Sequence, residues 1–427
     1  MHFKWSRRIL WTMAVVVVVL VGSASSVVRN NQNQQPPTAK TEEERRELNR
    51  IVFDAVWDRL SRSYYDQSYG GVDVAKARQK YRDSALEAGS GAELYLEALT
   101  PMLAEFNRSH LSAIPPRGEV LPGGVRLNIP IVRRGVNPWP MSPDDQAGHG
   151  MSIAWDGQTA VVDAVRMGSP AEKHDIEPGS RIRLIEMRGT TRDRPDGERK
   201  GIFVVQSGAH QPRRVSMTWG RSQPPAQRNS QSLPDGVTLI RFDSFTRENI
   251  DWALATIATA GASGVIIDLR SNVGGRVAEL DRFLEAILAP GAATGIRVKG
   301  HSRRIVRTSA NSRPYTGPVA VLIGLRSASA AEATAVAIQV NQRGVILGRR
   351  SAGALLTSNR FDLPDGGRLI VPVEDFRSPD GRQIEGVGVT PDIEVQETLA
   401  SVRAGDDLAI NKAREVLRDD RRRQRTN

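Results

Sequence analysis

LIGLRSASAAEATAVA, residues 322–337, decides how the second half of the chain folds. An apolar strand pattern ends near Gly324, a short polar turn follows, and an alanine-rich helical pattern begins at Ser329. The same alternation surrounds it: strands at VTLIRF, GVIIDLR, PVAVLIG and GVILG, with helices near ENIDWALATIATA and VAELDRFLEAIL. Strands alternating with helices in this way predict an α/β layer architecture.

Ser329 itself admits two readings. Ser329-Ala-Ala-Glu332 has the spacing of a capping box, in which the hydroxyl accepts from an early helix amide and the glutamate reaches back. A serine at a strand-to-helix turn is also where nucleophiles are displayed, because the turn exposes the oxygen and the helix N-terminus favours negative charge. Such a serine needs a base, His or Lys. No lysine lies between Lys299 and Lys412, so a nearby Ser-Lys dyad has no candidate in that segment. The absence of cysteine excludes a thiol nucleophile, disulfides and thiolate metal sites.

Of the six histidines, His2 lies in the leader, His174 in a polar helical stretch, and His210 and His301 in basic, turn-like surroundings. His110 differs, since it closes an amphipathic pattern in FNRSHLSAIPP, directly after Ser109 and before Pro115-Pro116. A histidine at a helix end also suits a plain interaction with the helix dipole. Two further stretches bear on chemistry. GVIIDLRSNVGG, residues 264–275, reads as a buried strand whose Gly274 and Gly275 let backbone amides approach a ligand, or simply as a glycine turn. IEGVGVTPDIEV sets Glu385 among glycines.

Outward from this core, 427 residues predict two or three domains. MHFKWSRRILWTMAVVVVVLVGSASSVV, residues 1–28, has the layout of an export signal: Lys4, Arg7 and Arg8, then an apolar run to Gly22, then small residues. The run is shorter than the roughly 20 residues that span a bilayer comfortably, so cleavage after Ala24 and retention as an anchor are both open. Either outcome places the remainder outside the cytoplasm. Residues 29–40 read as a flexible tether, 41–124 as a helical region, 125–220 as a small β-rich domain, 221–232 as a linker, 233–418 as the α/β core and 419–427 as a charged tail. A net charge of +11, concentrated at the two ends, suits an anionic surface and argues little for nucleic acid.

Taken in order, FNRSHLS, DLRSNVGG, SASAAE and GVGVTPDIEV resemble the carboxyl-terminal processing (tail-specific) serine peptidase family, over roughly Thr41 to Leu417. The resemblance implies a crotonase-related peptidase core with an N-terminal helical domain and an inserted PDZ-like domain. GHGM, residues 148–151, resembles the PDZ carboxylate-binding loop, and GSPAEKHDIEPGSRIRLI the following PDZ elements. The larger branch of the family uses a Ser-Lys dyad with the lysine in a segment shaped like GEKTFGKG. The corresponding GRRSAGAL, residues 348–355, has Ala354 at the lysine position.

The branch similar to the tricorn protease core uses a Ser-His-Ser-Glu tetrad, and the matching positions are Ser109, His110, Ser329 and Glu385. The implied chemistry is acyl transfer: Ser329 attacks, His110 is its base, Glu385 acts through Ser109 to orient the imidazole, and Gly274 or Gly275 with Ala330 holds the oxyanion. A substrate C-terminal tail would add as a strand, its carboxylate held by amides around Gly148, His149, Gly150 and Met151. His149 is expected to be an exposed loop residue whose charged form could strengthen tail binding. No metal or organic cofactor is implied. The partners are polypeptides with accessible C-terminal tails, and the inner or plasma membrane where the leader is retained. Two rivals remain at this level: an inactive scaffold that binds peptide tails, and a crotonase-like acyl-ester hydrolase.

Overall fold

The computed structural model describes residues 39–116, 148–156, 159–188, 198–220, 222, 226–310 and 312–426. The leader, nearly all of the tether and the first part of the β-rich domain expected at 125–220 lie outside these residues. Among the described residues no helix is long and apolar enough to cross a membrane.

Three helices come first: α1 (Glu42–Ser63), α2 (Val74–Glu87) and a composite α3 through Gly91–Glu93, Leu94–Leu99 and Thr100–Ala104, whose middle part is π-helical. Thr41 and Glu44 start α1 with a complete capping box. Its buried stripe is Val52, Phe53, Val56, Trp57 and Leu60, which packs with Leu94, Leu99 and Met102. Ile51, beside that stripe, is 39% exposed. The helical pattern expected through His110 stops at Ala104. Asn107 and His110 then take positive φ, 47° and 57°, and the chain turns into the short strand β1 (Ser112–Ile114).

Strands β2 (Met151–Asp156), β3 (Thr159–Val165), β4 (Arg181–Arg188), β5 (Arg199–Gln206) and β6 (Arg213–Trp219) form an antiparallel meander in sequence order, with the short helix α4 (Pro170–Lys173) between β3 and β4. Val162, Phe203, Met217 and Trp219 fill its interior.

The core sheet begins with β7 (Arg228–Ser232), in the stretch expected to be linker; RNSQS is wholly exposed, so no apolar alternation marks it. It pairs antiparallel with β8 (Thr238–Phe242), and α5 (Arg247–Ala258), β9 (Val265–Asp268) and α6 (Val277–Glu285) follow. A hairpin, β10 (Ala293–Lys299) and β11 (Ser302–Arg307), precedes β12 (Val319–Ile323), α7 (Ala330–Val340) and β13 (Val345–Gly348). A second hairpin, β14 (Leu356–Asp362) and β15 (Arg368–Arg377), leads to β16 (Ile393–Glu394), α8 (Leu399–Ala404) and α9 (Leu408–Thr426). The expected charged tail thus continues a helix as far as Thr426.

The six-stranded sheet has the order β16-β13-β12-β9-β8-β7 and is parallel except at β7. Alternate residues of its central strands enter different cores. Val265, Ile267, Val319, Val321 and Ile323 join the layer of α5, α6 and α7. Ile266, Ala320 and Leu322 meet Ala409, Ala413 and Leu417 of α9. Burial on both faces explains why β9 and β12 read as continuous apolar runs. A second sheet, β1-β15-β10-β11 with β14 also on β15, lies against the N-terminal helices. Ser112 pairs with Ile370, which carries the Ser109-His110 turn to the second sheet.

Candidate active site

The turns after β9, β12 and β13 converge at the carboxyl ends of the parallel strands, where open α/β sheets place their ligands. Ser327 holds the turn after β12: its buried hydroxyl donates to Leu269 O at 2.7 Å and accepts from Gly324 N–H at 3.0 Å. Ala328 N–H then reaches Asn272 O at 3.0 Å and Ser329 N–H reaches Ala354 O at 2.9 Å, so the strand-like run to Ser329 is pinned from both sides.

Ser329 has φ 57° and ψ −118°, not the extended backbone of an ordinary N-cap. The spacing of a capping box is present, yet the hydroxyl makes no side-chain cap hydrogen bond. The glutamate half remains, with Ser329 N–H donating to Glu332 Oε2 at 3.0 Å. A strained non-glycine residue at a strand-to-helix turn is a feature of displayed nucleophiles.

Gly274 presses its backbone against this serine. A Cβ there would lie 2.5 Å from Ser329 Cβ and 2.9 Å from Ala328 O, at φ +91°. The turn is set by Asn272, fully buried, which donates to Phe242 O and accepts from Gly274 N–H, both at 2.8 Å. The Gly274 amide is therefore occupied. Among the described residues the amides of Gly275 and Ala330 donate to no protein acceptor.

His110 is linked to this turn through Ser109 and Glu385. Glu385, buried, accepts from Ser109 N–H at 2.8 Å, from Ser109 Oγ at 2.7 Å and from Leu355 N–H at 2.9 Å. Because the Ser109 hydroxyl proton points to Glu385, the 2.8 Å contact between Ser109 Oγ and His110 Nδ1 carries a proton from the ring. Nε2 is then the unprotonated nitrogen. Burial pushes the His110 pKa down to about 4, which keeps the ring neutral. Among the described residues the imidazole's one hydrogen bond is to Ser109.

One peptide group joins the two halves. The carbonyl of Ala354 accepts from Ser329 N–H, and the N–H on the same peptide, that of Leu355, donates to Glu385. Ala354, where a lysine was expected in the other branch of the family, thus lies beside Ser329.

Glu332 was legible in the sequence only as half of a cap. It is fully buried and accepts from Gly353 N–H at 2.7 Å, Ala354 N–H at 2.8 Å, Ser329 N–H and the Ser351 hydroxyl. Burial nevertheless pushes its pKa up to about 7. A carboxyl whose folded pKa lies above its ordinary 4.5 contributes fully below that value and loses its contribution as pH rises through about 7. Glu332→Gln should therefore flatten the fall in melting temperature between about pH 5 and 7.5. It should also lower turnover by about 10- to 100-fold, since one acceptor cannot serve four donors. A melting curve with unchanged pH slope would contradict this.

The GHGM segment differs from expectation. His149 is buried, not exposed: its ring packs edge-on to Trp219 and Phe203, with centroids 5.4 and 6.2 Å away, and Nδ1 accepts from Met151 N–H at 3.0 Å. The Met151 amide is thereby occupied within the domain. Gly148 is wedged at the end of β6, where a Cβ would lie 2.5 Å from Trp219 Cδ1, and Gly150 turns at φ +82° against Ser169. His210 and His301 are exposed as expected.

Over most of its length the chain is similar to known proteases. Residues 236–395 match the model of peptidase family S41. The carboxyl-terminal-processing protease of a Synechocystis species is 25% identical over 369 residues, 81% of this chain and 80% of that protein. That of a Picosynechococcus species is 26% identical over 392 residues, 85% and 88% of the two chains. Among solved structures, the photosystem II D1 C-terminal processing protease superposes with a TM-score of 0.56 at 21% identity, covering 82% of this chain and 93% of its own. The tricorn protease superposes at 0.51 and 16% identity, covering 88% of this chain and 37% of its own. The chain is a hydrolase of the serine-peptidase class. Over most of its length it is similar to carboxyl-terminal-processing proteases, and residues 236–395 carry the match to peptidase family S41.

Proposed function

We propose that this chain is an exported serine endopeptidase that cleaves polypeptides recognised by their C-terminal tails, with Ser109, His110, Ser329 and Glu385 as a catalytic tetrad. The observation that carries it is the hydrogen-bonded run Glu385–Ser109–His110, tied to Ser329 through the Ala354–Leu355 peptide.

Ser329 Oγ attacks the scissile carbonyl while His110 Nε2 takes its proton, then returns it to the leaving amine. Glu385, through Ser109, fixes the ring tautomer and stabilises the imidazolium as it forms. Gly275 and Ala330 supply the amides for the oxyanion, and Gly274 lets the backbone come close. Each such donor is worth about 2.7 to 4 kcal/mol in the transition state. With no lysine between Lys299 and Lys412, histidine is the base this site has at hand.

The β2–β6 meander is read as the PDZ-like domain, between a helical region (41–124) and the peptidase core (233–418). Among the described residues β2 pairs only with β3, which leaves an edge for a substrate tail to add as a strand. With the Met151 amide occupied, the tail carboxylate falls to the turn at Gly148 to Gly150. The charge-then-apolar leader supports export to a periplasm or cell surface, with a membrane anchor where it is retained.

An unfolded protein substrate should be cleaved with kcat/KM about 10-fold lower when its C-terminus is amidated, the value of one charged hydrogen-bonding group. Equal cleavage of both forms would remove tail recognition from the reading. Cleavage of neither would leave a tail-binding scaffold.

A further inference from the structure

The β2–β6 meander touches the peptidase core beside the nucleophile. Val161 and Asp163, two apart on β3, face the same way. Val161 joins Ala154 and Leu325 in a small buried cluster. The Asp163 carboxylate, 11% exposed, lies 3.6 Å from Arg349 Nη1, with Arg326 and Arg270 also close enough to act on it.

Leu325 and Arg349 are no ordinary docking points. Leu325 lies inside the turn closed by Gly324 and Ser327, two residues before the run pinned by Asn272 and Ala354 that ends at Ser329. Arg349 directly follows β13, its N–H bonded to Ile323 O at 3.0 Å, and opens the loop whose Ser351, Gly353 and Ala354 bind Glu332. Two neighbouring side chains of β3 thus reach the start of both loops that meet at the nucleophile, Val161 by packing on Leu325 and Asp163 by its ion pair with Arg349. Among the described residues, other polar links between meander and core run from Gln396 to Pro178 O and from Arg403 to Glu172 and Asp175, in the segment around α8.

We propose that Asp163 is a positioning residue for the hydrolysis, so that the β-meander completes the peptidase site as well as binding substrate. This rests on Ser329 being the nucleophile. A misplacement of about 1 Å at a reacting group costs about 100-fold in rate, so a loop freed at Arg349 should be felt in turnover.

The test uses the full chain and p-nitrophenyl acetate, a substrate too small to reach the meander. Asp163→Ala should lower kcat about 10- to 100-fold with KM changed less than about 2-fold. Asp163→Asn, which keeps an oxygen acceptor of the same shape facing Arg349, should restore kcat to within about 5-fold of wild type. Arg403→Ala, which loosens docking elsewhere, should leave kcat unchanged. If Asp163→Ala does not fold, Asp163→Leu combined with Arg349→Leu removes the buried pair as a unit and keeps the comparison. Wild-type kcat in the alanine or double-leucine variant, or an equal loss in Arg403→Ala, overturns the positioning role alone. A wild-type enzyme that shows no hydrolysis abolished by Ser329→Ala overturns the nucleophile assignment and this inference with it.

Discussion

Ser329→Ala is expected to lower peptide hydrolysis by about 10⁴- to 10⁶-fold, the scale seen when a serine nucleophile is removed. Stability should hardly change. A serine acting only as a cap would contribute about 1 kcal/mol to the helix and nothing to turnover. Here the hydroxyl makes no cap hydrogen bond, and the bond that anchors the turn, Ser329 N–H to Glu332, survives the substitution. Ser327→Ala should behave in the opposite way. Its buried hydroxyl bridges Leu269 O and Gly324 N–H, so its loss should cost about 1 to 3 kcal/mol of stability while leaving the nucleophile in place. Circular-dichroism melting and casein cleavage on the two variants read both quantities. A stable, active Ser329→Ala would return this residue to the role of a cap.

His110→Ala is the second large effect, with turnover expected to fall by about 10³- to 10⁵-fold. The wild-type acid limb carries the sign of the argument. Burial holds the imidazole near 4, below its ordinary 6.5, so the base stays unprotonated and turnover should persist well below pH 6.5, falling only towards pH 4. The same depression contributes stability above about 6.5 that is lost as pH falls through about 4. The alanine variant should lose the acid limb together with the activity. An acid limb of normal shape in the residual activity would mean that another group is the base.

The parallel core was legible because its strands are buried on both faces, so VIID and VAVLI stand out as apolar runs between helical periods. The β10–β11 and β14–β15 hairpins were not, since SRRIVR and LTSNRFD face solvent along much of their length and carry charge where a strand signal needs alternation. Site residues were legible in proportion to how local their signal is. Ser329 and Glu385 stand in short distinctive stretches. Glu332 was seen at the right spacing but assigned to a cap, because the four donors that make it a buried hub include a loop some twenty residues away. His149 was misjudged for a similar reason: its partners Phe203 and Trp219 come from β5 and β6, which the local glycines do not announce. Asp163 lay in an ordinary strand pattern, and only the packing of two sheets places it beside Leu325 and Arg349.

The most direct test of the nucleophile assignment is to react the folded full chain with diisopropyl fluorophosphate and find the modified residue by mass spectrometry. The arrangement predicts one adduct, on Ser329, slowed at least about 100-fold in His110→Ala. An adduct on Ser327, Ser351 or another serine, or no adduct on a preparation that cleaves casein, would contradict it.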